Sequence, residues 1–404
     1  MPTATQADSG AARSILTVVY FTFICYLAIG LPLAVLPAFV HLRMGMHAAM
    51  AGLVVSVQYI ATFLSRPWAG RISDHAGARV SVIWGMAACT LSGLLLLAAV
   101  ALNFNAALTF TALIASRLAL GVGESLGSTG ATLWGISSAG PHHTAKVISY
   151  NGVATYGGLA LGAPLGVVLD QHSGLAALGI LTTITCAVSL VLAQRKSSCP
   201  VTPGEHLPFT AVLGRVAPHG TALALGGIGY SVLATFVTLY YISRHWNPNG
   251  AALCLTAFGV AFIAARLLFI RAIDRFGGFP ACIVCLSVES VGVLLLWGAS
   301  SPWLASCAAA LTGFGFSLVF PALGVEAVKR VPIQNRGTAL GVFTGFSDVS
   351  FFLVGPIAGA VIGVWGYRSA FLFALGSVLA ALAIVLVLRR MSREPRSAEA
   401  LAAD

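Results

Sequence analysis

The chain has 404 residues, of which 58% are hydrophobic and only 8% charged. Soluble domains carry about 25% charged residues, so this composition argues against a soluble enzyme, a disordered protein and a coiled coil. A spanning helix takes about 20 apolar residues, and the length holds about twelve of them with no room for a large extramembrane domain.

The expected spans, in chain order, are 15–39, 49–69, 80–102, 107–134, 147–169, 175–194, 219–242, 250–270, 279–298, 303–325, 338–362 and 369–388. The run from Ser14 to Leu42 is uncharged, is longer than a signal-peptide core and lacks a small-residue cleavage site, so it reads as the first span. Asn103-Phe104-Asn105 marks the turn between helices 3 and 4. The first bundle covers 1–194, a polar cytoplasmic linker covers 195–215, the second bundle covers 216–388, and a polar tail follows at 389–404. Within the linker, Leu207 to Val216 reads as a short interfacial helix.

The net charge of +10 would suggest nucleic acid in a soluble protein. Here its distribution points to topology instead. One set of loops holds 17 Lys and Arg residues, the other holds 3 (Arg43, Arg244 and Arg368), and 2 (Arg117 and Arg266) lie inside spans. This asymmetry places both termini in the cytoplasm, and the expected location is the bacterial inner membrane. The eight cysteines form no disulfide framework. Cys282-x-x-Cys285 lacks a second ligand pair, so no metal is expected and the residues read as helix packing.

The chain repeats itself. Arg66, Arg71, Asp74 and Gly77 recur at a constant offset of 200 as Arg266, Arg271, Asp274 and Gly277. Gly121-x-Gly123 is answered by Gly313-x-Gly315, and Gly162-Ala163-Pro164 by Gly355-Pro356. Two copies of one six-helix unit are the pattern of rocking transporters, whose substrate site lies near the midplane.

Gly70-Arg71-Ile72-Ser73-Asp74-His75-Ala76-Gly77-Ala78-Arg79 resembles the loop 2–3 signature of the major facilitator superfamily, and the likeness covers nearly the whole chain. Leu27 to Pro37, Thr132 to Gly135, Gly162 to Gly166 and Phe316 to Gly324 resemble the YhhS-type transporters within it. The resemblance implies an all-α polytopic fold of twelve transmembrane helices in two pseudo-symmetric six-helix bundles. It also implies a secondary transporter working as a monomer on a small molecule, without a cofactor.

The same resemblance makes Gly70, Arg71, Asp74, Gly77 and Arg79, with Arg271, Asp274, Arg275 and Gly277, a conformational latch. On local chemistry alone, Asp74 can cap helix 3 and pair with Arg71 or Arg79. A plain capped turn is the alternative. His75 and Ala78 stand where the family commonly has basic residues.

Ionisable groups inside spans are costly and are functional candidates. Arg117 resembles the arginine of the family's helix 4 motif, associated with proton coupling. Glu124 shares its helix face about 10 Å away, too far for pairing. An acid among apolar groups can exchange protons near neutral pH, which makes Glu124, Asp348 and Glu289 candidate proton carriers. For each, a fixed structural bond is the alternative, and Arg266 reads as part of the second latch.

In helix 5, Gly158, Gly162, Pro164 and Gly166 permit close packing and a bend. They partly match the family's antiporter motif, whereas a kinked packing helix is the plain reading. Tyr26, Gln58, Tyr59, Trp134, Tyr150, Asn151, Tyr230 and Phe346 are candidate cavity residues, with packing as the alternative for each.

The expected function is proton-coupled efflux of a small organic molecule. Proton-coupled uptake and a non-transporting sensor are the alternatives. No Gly-Lys-Ser/Thr nucleotide loop supports ATP as driver. Gly127-Ser128-Thr129-Gly130 resembles a nucleophile turn only superficially, since Thr129 interrupts it and no intramembrane His is placed to serve as base, and the His-Glu-x-x-His motif is absent, so no enzyme is expected. The expected partners are substrate, protons and the bilayer, with no nucleic acid.

Overall fold

The structure is a computed structural model and describes residues 4–33, 35–46, 48–199, 207–247, 249–269 and 271–392. Among these residues every regular element is helical and no strand occurs. The long helices are α1 (Ala4–Leu33), α2 (Ala48–His75), α3 (Ala78–Ala101), α4 (Ala106–Ala139), α5 (Thr144–Ser173) and α6 (Leu175–Arg195). They continue with α7 (Phe209–Ser243), α8 (Asn249–Leu268), α9 (Gly278–Gly298), α10 (Pro302–Lys329), α11 (Arg336–Trp365) and α12 (Tyr367–Met391). Among the described residues, ten helices are long and apolar enough to cross a membrane. The other two are α2, which carries Arg66, Arg71 and Asp74, and α8, whose apolar part Leu253–Leu268 is shorter. Large apolar side chains such as Leu64, Trp84, Val260, Val284 and Trp365 are exposed, which suits a lipid-facing exterior.

The expected spans match these helices in number and order, and three details differ. First, α2 runs through the signature to His75, so Gly70, Arg71 and Asp74 form its last turns rather than a loop. The helix stops only where Gly77 takes φ 99°, a conformation glycine adopts without a Cβ penalty. Gly277 ends the corresponding turn with φ 86°. Second, the expected interfacial helix is continuous with α7, because Pro218 inside the helix removes one hydrogen bond without breaking the rod. Third, α10 is interrupted at Ser317 and Leu318. There the Ser317 carbonyl accepts from Arg266, and Ser317 Oγ donates to the Phe262 carbonyl (2.6 Å). The expected turn at Asn103–Asn105 is present, with Asn105 Oδ1 accepting from the amides of Ala107 and Leu108.

The chain divides into two compact units. The first comprises Met1–Val212 and Val331–Val342, and the second comprises Leu213–Arg330 and Phe343–Asp404. In the first, α4 packs on α3, α2 and α1, α5 on α1, and α6 on α3. In the second, α10 packs on α8 and α9, and α9 on α12. Glycine permits the closest approaches. A Cβ on Gly121 of α4 would strike the Gln58 carbonyl of α2, and one on Gly313 of α10 would strike the Phe258 carbonyl of α8. Gly123 faces Gly85 and Cys89 in the same way that Gly315 faces Cys285 and Glu289. The internal repeat is therefore one of atomic packing as well as of sequence.

Candidate functional site: a polar stripe along the second helix

Residues four apart on a helix share a face. On α2 the series Gln58, Thr62, Arg66, Gly70 and Asp74 has that spacing throughout. Its first three members meet Glu124 of α4. Gln58 Nε2 donates to Glu124 Oε2 (3.2 Å), and Thr62 Oγ1 donates to the same oxygen (3.0 Å). Arg66 Nη2 lies 3.8 Å from Glu124 Oε1. Arg66 Nη1 also donates to Ser128 Oγ (3.0 Å), and Ser128 Oγ donates to the Glu124 carbonyl (2.7 Å). Arg66 is 2% and Glu124 4% exposed, so the pair is enclosed. A buried ion pair balances a heavy desolvation cost, and losing either partner strands a charge. Arg66 is thus an interior residue. The expected topology count becomes 16 against 3 with 3 inside, and the asymmetry survives.

The last two members meet the start of α11, within the first unit. Asp74 Oδ1 accepts from the Gly337 amide (2.6 Å), and Oδ2 accepts from the Thr338 amide (2.7 Å) and Thr338 Oγ1 (2.7 Å). The first amides of a helix have no partner within it, and a carboxylate there also faces the positive end of the helix dipole. Asp74 therefore caps α11, while the N-cap position of α3 is Gly77, which has no side chain to cap with. Contact this close excludes side chains. A Cβ on Gly70 would lie 2.6 Å from Thr338 Cα, and one on Gly341 would lie 2.6 Å from the Arg66 carbonyl.

The flanking arginines do other work. Arg79 donates Nε to the Ala193 carbonyl (3.2 Å) and Nη2 to the Gln194 carbonyl, holding the C-terminal end of α6. Arg71 lies over the Phe209 ring at 5.3 Å. In the second copy, Arg271 precedes the helical turn Ala272–Phe276, which holds Asp274, and Arg275 lies over Phe276 at 5.2 Å. Arg266 donates to the Ser317 carbonyl (3.1 Å from Nε, 2.5 Å from Nη2) and lies over Phe262 at 4.7 Å, so it grips α10.

Arg117 is 3% exposed and donates Nη2 to Ser116 Oγ (3.3 Å), while its Nε is buried without a hydrogen-bond partner. Glu289 of α9 is fully buried, and both of its oxygens are unpartnered. Asp348 is half-buried on α11. The three candidate acids thus occupy separate environments.

The helix 5 glycines form a packing face. Gly158, Gly162 and Gly166 meet the α1 backbone at Phe23, Leu27 and Leu31, and α5 continues through Pro164. Among the cavity candidates, Gln58 donates to Glu124. Asn151 Oδ1 accepts from Thr22 Oγ1 (2.5 Å). Trp134 is enclosed and stacks on Phe21, with 5.9 Å between ring centroids. Tyr230 stacks on Phe258 at 4.7 Å, and Phe346 packs on Gly220. Tyr26 and Tyr150 are half-buried, and Tyr59 is exposed. Sequence reasoning missed the roles of Arg66, Thr62 and Ser128. The unbroken spacing of four from Gln58 to Asp74 was the signal that could have found the first two.

Comparison with known proteins agrees with this fold. The family described as the Major Facilitator Superfamily matches residues 18–213 and 220–403. An uncharacterized MFS-type transporter of Pseudomonas aeruginosa is 52% identical over 394 residues, covering 98% of each chain. One from Burkholderia pseudomallei is 52% identical over 374 residues, covering 93% of this chain and 91% of the relative. Among solved structures, the human organic anion transporter MFSD10 has a TM-score of 0.79 at 18% identity, covering 93% of this chain and 99% of that one. FucP in its outward conformation has a TM-score of 0.77 at 17% identity, covering 92% and 98%. These two likenesses bear on the fold alone. The helical architecture, the repeated signature and the matched family together show that the chain belongs to the Major Facilitator Superfamily, as a multi-pass membrane transporter and not an enzyme.

Proposed function

We propose that the protein is a proton-coupled exporter of a small organic molecule, working by alternating access in the bacterial cytoplasmic membrane with both termini inside. The observation that carries the coupling is the enclosed Arg66–Glu124 pair, on the same α2 stripe as the Asp74 cap. Ionised Glu124 holds Arg66. A proton on Glu124 cancels that attraction, and α2, a continuous helix, carries the change to Gly70 and Asp74. Release of Gly337 and Thr338 from Asp74 is then one step of the cycle.

Export is supported by the glycine face of α5, which partly matches the antiporter motif and packs on α1. Arg117, a buried cation with one neutral partner, favours cargo with an acidic group. The segments named from sequence support membership of the YhhS-type group, with functional halves at 1–194 and 216–388.

The test is a compound-panel screen comparing accumulation in cells with and without the protein, followed by pH-gradient dependence of each hit in vesicles. Lower accumulation that requires an inward proton gradient supports the proposal. Gradient-driven gain of compound supports uptake instead, and the absence of any substrate-linked flux supports a sensor.

A further inference from the structure

The second unit buries an acid of its own. Glu289 lies on α9 where three helices converge on it. From α7, Gly229 approaches so closely that a Cβ would lie 2.6 Å from Glu289 Oε1. From α10, Gly315 packs on the Glu289 backbone. From α12, Val378 lies beside Gly229, as does Val293 of α9 itself. Both carboxyl oxygens are buried with no hydrogen-bond partner.

No basic side chain answers this acid among the described residues. The titratable groups near it are Cys282 and Cys285, on its own helix. Arg266, near Cys285, donates to the Ser317 carbonyl. From α10, Thr312 Oγ1 donates to the Ala308 carbonyl, and from α12, Ser377 Oγ donates to the Phe373 carbonyl. Tyr230, next to Gly229, is stacked on Phe258 and Phe316. An unpaired carboxylate in such a place is prohibitive, and a buried group of this kind neutralises instead. The packing repeat gives a control. The residue that meets Gly123 in the first unit as Glu289 meets Gly315 is Cys89, so the acid is an addition peculiar to the second unit.

We propose that Glu289 is a second proton-binding site of the transporter, holding its proton in this conformation and exchanging it during the cycle. This rests on the proton-coupled reading above. Glu124 is then the acid that is ionised and paired, and Glu289 the acid that is neutral and unpaired. On the α7 side, Gly229 sets backbone against the carboxyl group, flanked by Val293 and Val378, so proton exchange requires α7 to move and admit water there.

The test is infrared difference spectroscopy of the full-length protein in liposomes, comparing acid with alkaline pH in ordinary and heavy water. A protonated-carboxyl band should be present at neutral pH, shift in heavy water, fall at least about threefold at alkaline pH, and be missing from Glu289→Gln. The band should survive Glu124→Gln. Gly229→Ala keeps the acid and crowds its oxygen, so the same band should move, which covers the case in which Glu289→Gln fails to fold. Absence of a band assignable to Glu289 overturns the proposal, as does a band that ignores both pH and heavy water, since that describes a permanently neutral packing residue. Either result alongside intact gradient-driven accumulation would defeat this inference alone. Loss of gradient dependence with a titrating band would defeat the coupling reading instead.

Discussion

The two copies of the α2 stripe share their arginine and their aspartate and differ at the three other positions. In the first unit it reads Gln58, Thr62, Arg66, Gly70 and Asp74, and the same positions in the second read Phe258, Phe262, Arg266, Ile270 and Asp274. The partner helix changes in step, because Glu124 follows Gly121-x-Gly123 whereas Phe316 follows Gly313-x-Gly315. One copy therefore builds an ion pair wrapped in hydrogen bonds. The other builds an aromatic cluster of Phe258, Phe262, Phe316 and Tyr230, with Arg266 over one ring. An ion pair can respond to a proton, and a phenylalanine cluster cannot. On the proposed coupling, the proton-sensitive role of the stripe falls to the first unit and a packing role to its copy.

The sharpest way to break this contrast is to remove each arginine. Arg66→Ala strands Glu124 in an enclosed site and should cost about 3–5 kcal/mol. Arg266→Ala leaves one carbonyl without a partner and should cost about 1–3 kcal/mol. Thermal unfolding in detergent measures both, and equal losses would show that the two copies are energetically alike. Next in size, Asp74→Asn should lower turnover on the order of tenfold or more, equivalent to ~1.4 kcal/mol or more of barrier, with expression and substrate binding retained. Normal transport by that variant would remove the cap from the mechanism. Glu124→Gln should abolish gradient-driven accumulation while sparing substrate exchange in vesicles. Accumulation at the wild-type level would move the coupling role elsewhere. Smallest is Thr62→Val, which deletes one hydrogen bond to Glu124 and should destabilise by about 1 kcal/mol. Its counterpart Phe262 is already apolar, so Phe262→Leu should leave the pH dependence of transport unchanged.

Much of the fold was legible because apolar length and basic loops are read directly from composition, and the 200-residue offset exposes the two halves. The division at residues 331–342 was not legible. It depends on Gly70, Gly337 and Gly341 allowing two backbones to touch, and glycine advertises permission without naming a partner. Asp74 was recognisable as a cap, but its bond to the start of α11, more than 260 residues away, was not. Glu124 was recognisable as costly. Its ion partner was hidden because Arg66 lies so near the end of an apolar run that it reads as a loop charge. The orphaned state of Glu289 had no sequence signal, since it follows from which helices surround it.

The central claim is that the charge on Glu124 controls the cap that Asp74 places on α11. The most direct measurement is hydrogen–deuterium exchange of the segment containing Gly337 and Thr338, whose amides donate to Asp74, in wild type and in Glu124→Gln. Exchange at these amides should speed up on the order of tenfold in Glu124→Gln, corresponding to ~1.4 kcal/mol of lost protection, and should not change in Glu289→Gln. Unchanged exchange in Glu124→Gln, with gradient-driven transport lost, would contradict the claim and separate the proton site from the cap.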